Sequence, residues 1–172
     1  PSGGLGAQGV SAAVALGQPG TVYRYAGTLG VLETPYFSDT THINRPMGLF
    51  MDGSNNLYVT EEQGRRLLKY NSSGSAVLAL GKAGVSYVDD YVFDYPMDVA
   101  VDGDGNIWVA DDSRVVQYTP GGVISQSIPA RDDEPWRWED DGDPADDNTR
   151  FSGVRGVAFD SAGHMFVADT YN

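Results

Sequence analysis

The chain has 172 residues and is 41% hydrophobic, which is enough apolar sequence to form a buried core. Its 24 acidic and 11 basic residues give a formal net charge of −13, and this charge repels a phosphate backbone, so nucleic acid is not expected as a partner. With no cysteine, the chain can form no disulfide, thiolate nucleophile or zinc–thiolate site.

The first 20 residues are predicted to be a flexible segment rich in Gly and Ala. The stretch Leu5–Gly17 is only mildly apolar and follows no basic residue, so neither a signal peptide nor a membrane span is expected there. Gly4–Gly9 matches the dinucleotide-binding pattern GxGxxG by letter. No strand is predicted before it and no helix after it, so we do not expect a cofactor site.

After this segment, short apolar runs alternate with Gly, Asn, Asp and Ser, and the chain holds 22 Gly and 10 Tyr. This composition is typical of many short strands joined by tight turns. The sequence therefore predicts an all-β fold.

An internal repeat organises most of the chain. Each copy holds an apolar strand, a polar turn that begins with Asp, and a second strand in which an aromatic residue precedes Val. The three copies are Arg45–Thr60, Tyr95–Ala110 and Gly153–Ala168. Asp102 follows Asp52 by 50 residues and Asp160 follows Asp102 by 58, which is near the spacing of propeller blades with extra loop length.

Each copy is predicted to be a β-hairpin. Asn55, Gly105 and Gly163 stand three residues after the turn Asp, where a tight turn needs the positive φ that Gly and Asn adopt at low cost. Third and fourth strands are expected at Arg66–Tyr70, Ala76–Leu80, Val115–Tyr118 and Val123–Ile128. The innermost strands are expected at Gly48–Met51, Val99–Val101 and Val157–Phe159. Each unit is thus predicted to be a four-stranded antiparallel meander.

The repeat resembles the NHL family, most clearly over Pro96–Asp111 and Gly156–Asn172. The resemblance covers about three quarters of the chain. It implies that residues 21–172 are a partial β-propeller. Thr21–Gly27 resembles the outer strand of a preceding blade, and the last copy stops inside its second turn. A closed ring needs at least about four blades of roughly forty residues, so we expect a fragment of a ring or a protomer completed by another chain.

Acidic residues are expected at one end of the blades, because alternate connections of a meander emerge at the same end. Glu61, Glu62, Asp111, Asp112 and Asp169 fall in or beside the loops between second and third strands, and Asp89, Asp90 and Asp94 precede a blade. An insert over residues 131–150 carries the acidic run Asp132–Asp147 and two tryptophans, Trp136 and Trp138.

This acidic end is the predicted binding surface. Asp140, Asp141 and Asp143 are candidate ligands of Ca²⁺, which prefers several oxygen donors. Asp111, Asp112, Trp136, Trp138 and Asp169 are candidate contacts for a partner, since an indole face stacks on a sugar ring or a cation. The alternative is an insert that is simply a solvated acidic loop.

The sequence also holds two weaker patterns. Asp102–Asn106 imitates the start of an EF-hand loop, but Ile107 stands where that loop needs Gly, so a hairpin turn is expected. Asn71-Ser72-Ser73 fits the N-glycosylation pattern, which matters in an exported protein.

Two functions remain open from the sequence. The first is a non-catalytic module, extracellular or on the cell surface, that binds a protein, a glycan or copies of itself, with filament growth by edge pairing as one form of assembly. The second, which some NHL-like propellers suggest, is a metal-dependent lyase or lactonase-like enzyme. His42 and His164 are the only histidines. They supply no ligand set, and no catalytic residue is predicted.

Overall fold

A computed structural model describes residues 10–11, 28–29, 31–32, 39–85, 92–128, 151 and 153–171. All of the regular structure in these residues is β-strand, and no helix occurs among them. The strands are β1 Val10–Ser11, β2 Thr28–Leu29, β3 Val31–Leu32, β4 His42–Ile43, β5 Pro46–Met51, β6 Leu57–Glu61, β7 Arg66–Tyr70, β8 Ala76–Gly81, β9 Pro96–Val101, β10 Ile107–Asp111, β11 Arg114–Tyr118, β12 Ile124–Ile128, β13 Val154–Phe159 and β14 Met165–Asp169.

The strands form successive blades of a β-propeller. Blade A is the antiparallel meander β5-β6-β7-β8, blade B is the meander β9-β10-β11-β12, and blade C is the hairpin β13-β14. The innermost strand of blade B packs against the innermost strands of both neighbours. Its Asp98 carboxylate accepts a hydrogen bond of 3.1 Å from the backbone N–H of Val157 in blade C. The predicted all-β fold of four-stranded antiparallel propeller blades is confirmed.

The inner strands approach each other so closely that glycine is required at one position. A Cβ on Gly48 would lie 2.5 Å from the Cα of Asp98 and 2.9 Å from the carbonyl oxygen of Met97. Both contacts involve the backbone of the next blade, which has no room to move aside. A side chain at Gly48 would therefore push blades A and B apart.

The three hairpins have the same register. Tyr58 lies opposite Phe50, Trp108 opposite Ala100, and Phe166 opposite Ala158, each pair one step in from the turn. The turns match as well, since φ is +60° at Asn55, +84° at Gly105 and +85° at Gly163. The aromatic positions therefore match in strand register and the turn positions match in φ, as predicted.

Hydrophobic clusters lie between the blades. Tyr58 and Leu67 of blade A pack with Val99 and Val109 of blade B. Trp108 of blade B packs with blade C, and its ring centroid lies 5.6 Å from that of Phe159. Blades A and B therefore each bury their aromatic residue against the blade that follows.

The described residues cover the other face of blade A only in its outer part. Ile43 of β4 packs there with Val59, Leu68 and Tyr70. The inner strand of this face exposes three apolar side chains, Met47, Leu49 and Met51, each to between 45% and 49%.

Several sequence predictions lie outside the described residues: the outer strand at Thr21–Gly27, the insert at 131–150, and all of the segment 1–20 except Val10–Ser11, which forms β1. Within the described part of the chain, no helix is long and apolar enough to cross a membrane. Among the described strands, β14 pairs only with β13.

Candidate functional site

The blades have two ends of different character. The turn end carries the β5–β6, β9–β10 and β13–β14 turns. The loop end carries the β6–β7 and β10–β11 loops together with the connections that enter β5, β9 and β13. Antiparallel topology puts these loops and connections at one end, as the sequence predicted.

At the turn end, each turn Asp accepts hydrogen bonds from residues of its own hairpin with both carboxylate oxygens. Asp102 Oδ1 accepts hydrogen bonds from the backbone N–H groups of Asp104 and Asn106, at 3.0 and 2.9 Å. Its Oδ2 accepts from Asn106 Nδ2 at 2.9 Å and from Trp108 Nε1 at 2.8 Å. The EF-hand-like letters at Asp102–Asn106 therefore form a hairpin turn, as predicted.

These bonds set the acidity of the turn carboxylates. Burial by itself would raise the pKa of Asp102, but the hydrogen bonds from Trp108 and Asn106 outweigh burial and hold the pKa below its ordinary value. Asp52 shows the same balance, with bonds from Asn56, Ser54 and Tyr58. These donors satisfy the carboxylates within the turn.

At the loop end, two of the predicted acidic residues are buried in ion pairs that we call latches. In blade A, Glu61 is fully buried, and its Oε2 accepts a hydrogen bond of 2.6 Å from Arg66 Nε. Glu61 Oε1 accepts from the backbone N–H of Asn44 at 2.7 Å. Arg66 also donates to the carbonyl oxygens of Asp39 and His42, at 2.7 and 3.1 Å. The latch ties the chain entering β5 to strands β6 and β7.

Blade B repeats the latch with a shorter acid. Asp111 is 1% exposed; its Oδ1 accepts from the backbone N–H groups of Asp94 and Tyr95, both at 2.8 Å, and its Oδ2 from Arg114 Nε at 3.0 Å. Arg114 Nη2 donates to the carbonyl of Val92 at 2.7 Å. Asp111 does not face solvent, so its carboxylate ties the chain entering β9 to strands β10 and β11 and does not fit the role of a partner contact that the sequence suggested.

A pocket of about 200 Å³ opens at the loop end, where three blades meet. It is lined by Glu62 of blade A, by Tyr95, Met97 and Asp112 of blade B, and by Arg155 of blade C. Of the predicted binding residues, Asp112 belongs to this pocket. Asp169 is half-buried at the end of β14. Trp136, Trp138, Asp140, Asp141 and Asp143 lie outside the described residues.

Glu62 brings a buried carboxylate to the pocket. The residue is 8% exposed, and its Oε1 accepts a hydrogen bond of 3.1 Å from Arg45 Nη1. The same nitrogen lies 2.9 Å from Oε2, but Oε2 is buried and accepts no hydrogen bond. The Arg45 side chain is 56% exposed, and an ion pair with so exposed a partner is weak. One oxygen of Glu62 therefore has capacity for another donor.

Asp112 brings a second carboxylate, held in an unusual backbone conformation. Its φ is +48°, a region that costs energy for a residue with a side chain. Burial raises the pKa of Asp112, the nearby charge of Asp94 raises it further, and Arg155 opposes both. Within the described residues no hydrogen bond or ion pair reaches the Asp112 carboxylate. Asp94, by contrast, is paired with Arg65 Nη1 at 2.6 Å.

Arg155 supplies the positive charge of the pocket. Its Nη1 lies 3.7 Å from Met97 Sδ, and its Nη2 lies 3.4 Å from the hydroxyl of Tyr171. Both partners are weak acceptors for a guanidinium. Tyr95 already carries the Arg65 guanidinium over its ring, 5.0 Å from the centroid.

Two further predictions concern glycosylation at Asn71 and metal binding. Asn71 Oδ1 accepts bonds from the N–H and the hydroxyl of Ser73, at 3.1 and 2.7 Å, and Thr119 Oγ1 holds the matching turn of blade B by accepting from Val123 N–H at 3.1 Å. Asn71 thus supports its turn, and its glycosylation stays a prediction. In the described part of the chain, no group of three His, Asp or Glu could hold a metal ion.

Sequence reasoning missed the latches and the contribution of Arg155. An acid at the end of each second strand, with an arginine opening the third, was visible as Glu61 with Arg66 and as Asp111 with Arg114. That recurrence could have identified buried pairs. Arg155 had no such signal, because its neighbours at the pocket come from blades that are distant in sequence.

No family model matches the sequence, and neither does any curated protein. Among solved structures, the chain is similar to a virginiamycin B lyase from Staphylococcus aureus, at 13% identity and a TM-score of 0.48 over 73% of this chain and 35% of the lyase. It is similar to a putative gluconolactonase, at 19% identity and a TM-score of 0.49 over 73% of this chain and 41% of that protein. A streptogramin B lyase matches at 13% identity and a TM-score of 0.44, over 80% of this chain and 45% of the lyase. The chain thus spans less than half the length of each.

Proposed function

We propose that this chain is part of an NHL-type β-propeller that acts as a non-catalytic binding module and holds its partner at the loop end. The observation that carries the proposal is the pocket formed jointly by Glu62, Asp112 and Arg155, one residue from each of three successive blades. A rigid scaffold that gathers loops at one end is a common way to present a binding surface.

The charge of the loop end favours a protein or glycan partner that carries positive charge. The whole chain has a net charge of −13, so its long-range field attracts cations. In the pocket, Glu62 is paired with Arg45, and Asp112 lies on the same lining as Arg155. The backbone cost at Asp112 supports a role in binding, because such strain is often found at functional sites.

The test is an array of glycans and of acidic, neutral and basic peptides, probed with the 172-residue chain and two variants. Asp112→Asn removes a charge at the loop end and keeps a residue that tolerates positive φ. Asp104→Asn makes the same charge change at an exposed position of the turn end. A ligand lost in the first variant and kept in the second supports the proposal. Ligands that respond equally to both variants, or to neither, contradict it.

The proposed Ca²⁺ site at Asp140, Asp141 and Asp143 is tested separately by a thermal melt. Millimolar Ca²⁺ should raise the melting temperature above that in chelator, because a ligand that binds the folded state stabilises it by mass action. The triple change of these residues to Asn should abolish the rise. An unchanged melt in the parent chain would favour a solvated acidic loop.

The alternative, a metal-dependent lyase or lactonase-like enzyme, would need convergent metal ligands. Metal analysis of the purified chain separates it from the binding module. One tightly held divalent ion per chain, retained in the Asp140, Asp141 and Asp143 variant, would favour the enzyme. An extracellular or cell-surface location belongs to the binding proposal, and glycan attachment at Asn71 after secretory expression would support it.

A further inference from the structure

We infer that the pocket is a carbohydrate subsite in which one sugar ring stacks on Tyr95 while its hydroxyls bond to Asp112 and Arg155. This inference rests on the proposed function of the loop end and narrows the partner there to a glycan. Three features support it: the fixation of the Tyr95 ring, the unused hydrogen-bonding capacity of Asp112 and Arg155, and the size and walls of the pocket.

Tyr95 is an exposed aromatic residue that two blades hold in place. The residue is 41% exposed, and its backbone N–H donates a hydrogen bond of 2.8 Å to Asp111 in the latch of blade B. The Arg65 guanidinium of blade A lies over the ring, 5.0 Å from its centroid, and donates to Asp94 Oδ1 at 2.6 Å. A ring that is already fixed loses little conformational entropy when a ligand stacks on it.

Arg65 holds this ring from an unfavourable backbone conformation. Its φ is +54°, which costs energy for a residue with a side chain, and its side chain is only 16% exposed. Arg65 lies over the Tyr95 ring but does not line the pocket, so the part of Tyr95 that lines the pocket lies away from the guanidinium. Arg65 is therefore a positioning residue, which acts on the ligand through Tyr95.

Asp112 and Arg155 supply an acceptor and a donor that do not satisfy each other. Both line the pocket, and within the described residues no hydrogen bond or ion pair joins them. The Arg155 guanidinium contacts only weak acceptors, Met97 Sδ at 3.7 Å and the hydroxyl of Tyr171 at 3.4 Å. An ammonium only donates and a carboxylate only accepts, whereas a hydroxyl does both. A ligand hydroxyl can therefore donate to Asp112 and accept from Arg155.

The walls and the size of the pocket fit the rest of a sugar ring. Tyr95 and Met97 offer an aromatic ring and a thioether chain, which suit the apolar C–H face of a pyranose. The volume is about 200 Å³, below the roughly 300–1,000 Å³ of pockets for drug-sized ligands, so one ring enters and the rest of a glycan stays outside. Water also bridges a donor and an acceptor, but it has no apolar face for Tyr95 and Met97.

The experiment follows Met97 by NMR in the 172-residue chain, labelled with ¹³C at the methionine methyl groups. Met97 lines the pocket, its signal is assigned through Met97→Leu, and Met51 on the exposed inner strand of blade A is the internal control. The probes are the methyl glycosides of glucose, galactose, mannose and N-acetylglucosamine. At least one should shift Met97 in a saturable way while Met51 stays in place. The ring protons of that glycoside should move upfield, because protons above an aromatic face are shielded.

Two further compounds separate the ring from the hydroxyls. Sorbitol has the hydroxyls of a sugar without its ring, and cyclohexanol has a six-membered ring with a single hydroxyl. Both should bind more weakly than the best glycoside. If none of the four glycosides shifts Met97, or if either control compound binds as tightly as the best of them, the assignment to a sugar ring is wrong.

Variants locate the ring. Tyr95→Leu and Arg155→Met should each weaken the best glycoside by about tenfold or more, whereas Tyr95→Phe, which keeps an aromatic ring, should stay within about threefold of the parent chain. Arg65→Met makes its change outside the pocket and should reduce both the affinity and the upfield shift of the sugar protons, which a purely structural role would not do. Equal binding by Tyr95→Leu and the parent chain would overturn stacking on Tyr95.

Asp104→Asn at the turn end is the matched control and should bind as the parent chain does. Each variant is first checked by its thermal melt, and the parent-chain titration with its control compounds carries the test if one does not fold. If array ligands depend on Asp112 but all of them are peptides, only the carbohydrate assignment fails. If no array ligand depends on Asp112, the proposed function fails as well.

Discussion

Trp108 in blade B and Phe166 in blade C occupy the same register position, yet Trp108 is 7% exposed and Phe166 is 59% exposed. The acidic residues at the ends of β10 and β14 differ in burial in the same direction. Asp111 is fully buried in its latch, whereas Asp169 is half-buried. The turns of the two blades, however, are alike in hydrogen bonds and in φ.

This difference between blades B and C separates local interactions, which form within one hairpin, from tertiary interactions, which need neighbouring strands and blades. The hairpin, its turn Asp and its left-handed glycine are local, so they form in blade C as they do in blade B. Burial of the aromatic residue and of the latch needs neighbours: a third strand and a following blade, which blade B has and which the described part of blade C lacks. Mutations at matched positions should therefore diverge for packing and agree for turns.

The largest expected effect is at the latch. Asp111→Ala leaves Arg114 buried without its carboxylate and removes an acceptor from two backbone N–H groups, so we expect a loss of about 3–5 kcal/mol in the free energy of unfolding. Asp169→Ala, at a half-buried position, should cost less than about 1 kcal/mol. Urea denaturation followed by tryptophan fluorescence measures both. Equal losses would show that the comparison of the blades is wrong.

The second largest effect is expected from exchanging the aromatic residues at positions 108 and 166. Trp108→Phe gives blade B the residue of blade C and removes the indole donor from Asp102, at a cost of about 2 kcal/mol. Phe166→Trp makes the reverse change at an exposed site and should alter stability by less than about 0.5 kcal/mol. Urea denaturation followed by far-UV circular dichroism measures both, because these variants change the tryptophan content. A large effect at Phe166 would mean that its face is covered in solution, for example by a partner.

The turn glycines should behave alike. Gly105→Ala and Gly163→Ala each force an L-residue into positive φ, which costs about 1–2 kcal/mol. A Cβ at Gly163 meets nothing within 4 Å, and one at Gly105 meets only Pro120 at 3.4 Å, so neither substitution creates a serious clash. Asn at either position, the residue that blade A has at Asn55, should recover part of the loss. Thermal melts of the four variants give the comparison.

The smallest effect is a dependence on acid pH shared by both turns. The pKa of Asp102 and that of Asp160 lie below the ordinary value of about 3.9, in Asp160 chiefly through the hydrogen bond from His164. Because the folded pKa is the lower one, this stabilisation is complete above the ordinary value and is lost as the pH falls through the folded pKa. Carboxyl ¹³C titration by NMR should give depressed midpoints for both. A depressed midpoint in blade B alone would attribute the effect to the hydrogen bond from Trp108, which has no counterpart at Asp160.

The hairpin turns and the repeated pattern of strands could be predicted from the sequence alone. Asp102, Gly105, Asn106 and Trp108 lie within seven residues, so the interactions that set the hairpin are local and leave a periodic trace in the sequence. The third and fourth strands of blades A and B were also predicted, because their apolar runs are bounded by turn residues. These features follow from backbone conformation and from hydrophobic alternation.

Tertiary structure decided which acids are sealed in a latch and which line the pocket. Glu61 and Glu62 are adjacent in sequence, yet one is sealed in a latch with Arg66 and the other lines the pocket. Asp111 and Asp112 divide in the same way. Composition gives both members of each pair the same charge. Only the packing of the third strand and of the next blade determines which carboxylate meets a buried arginine and which lines the pocket, because burial and pairing depend on neighbours that are distant along the chain.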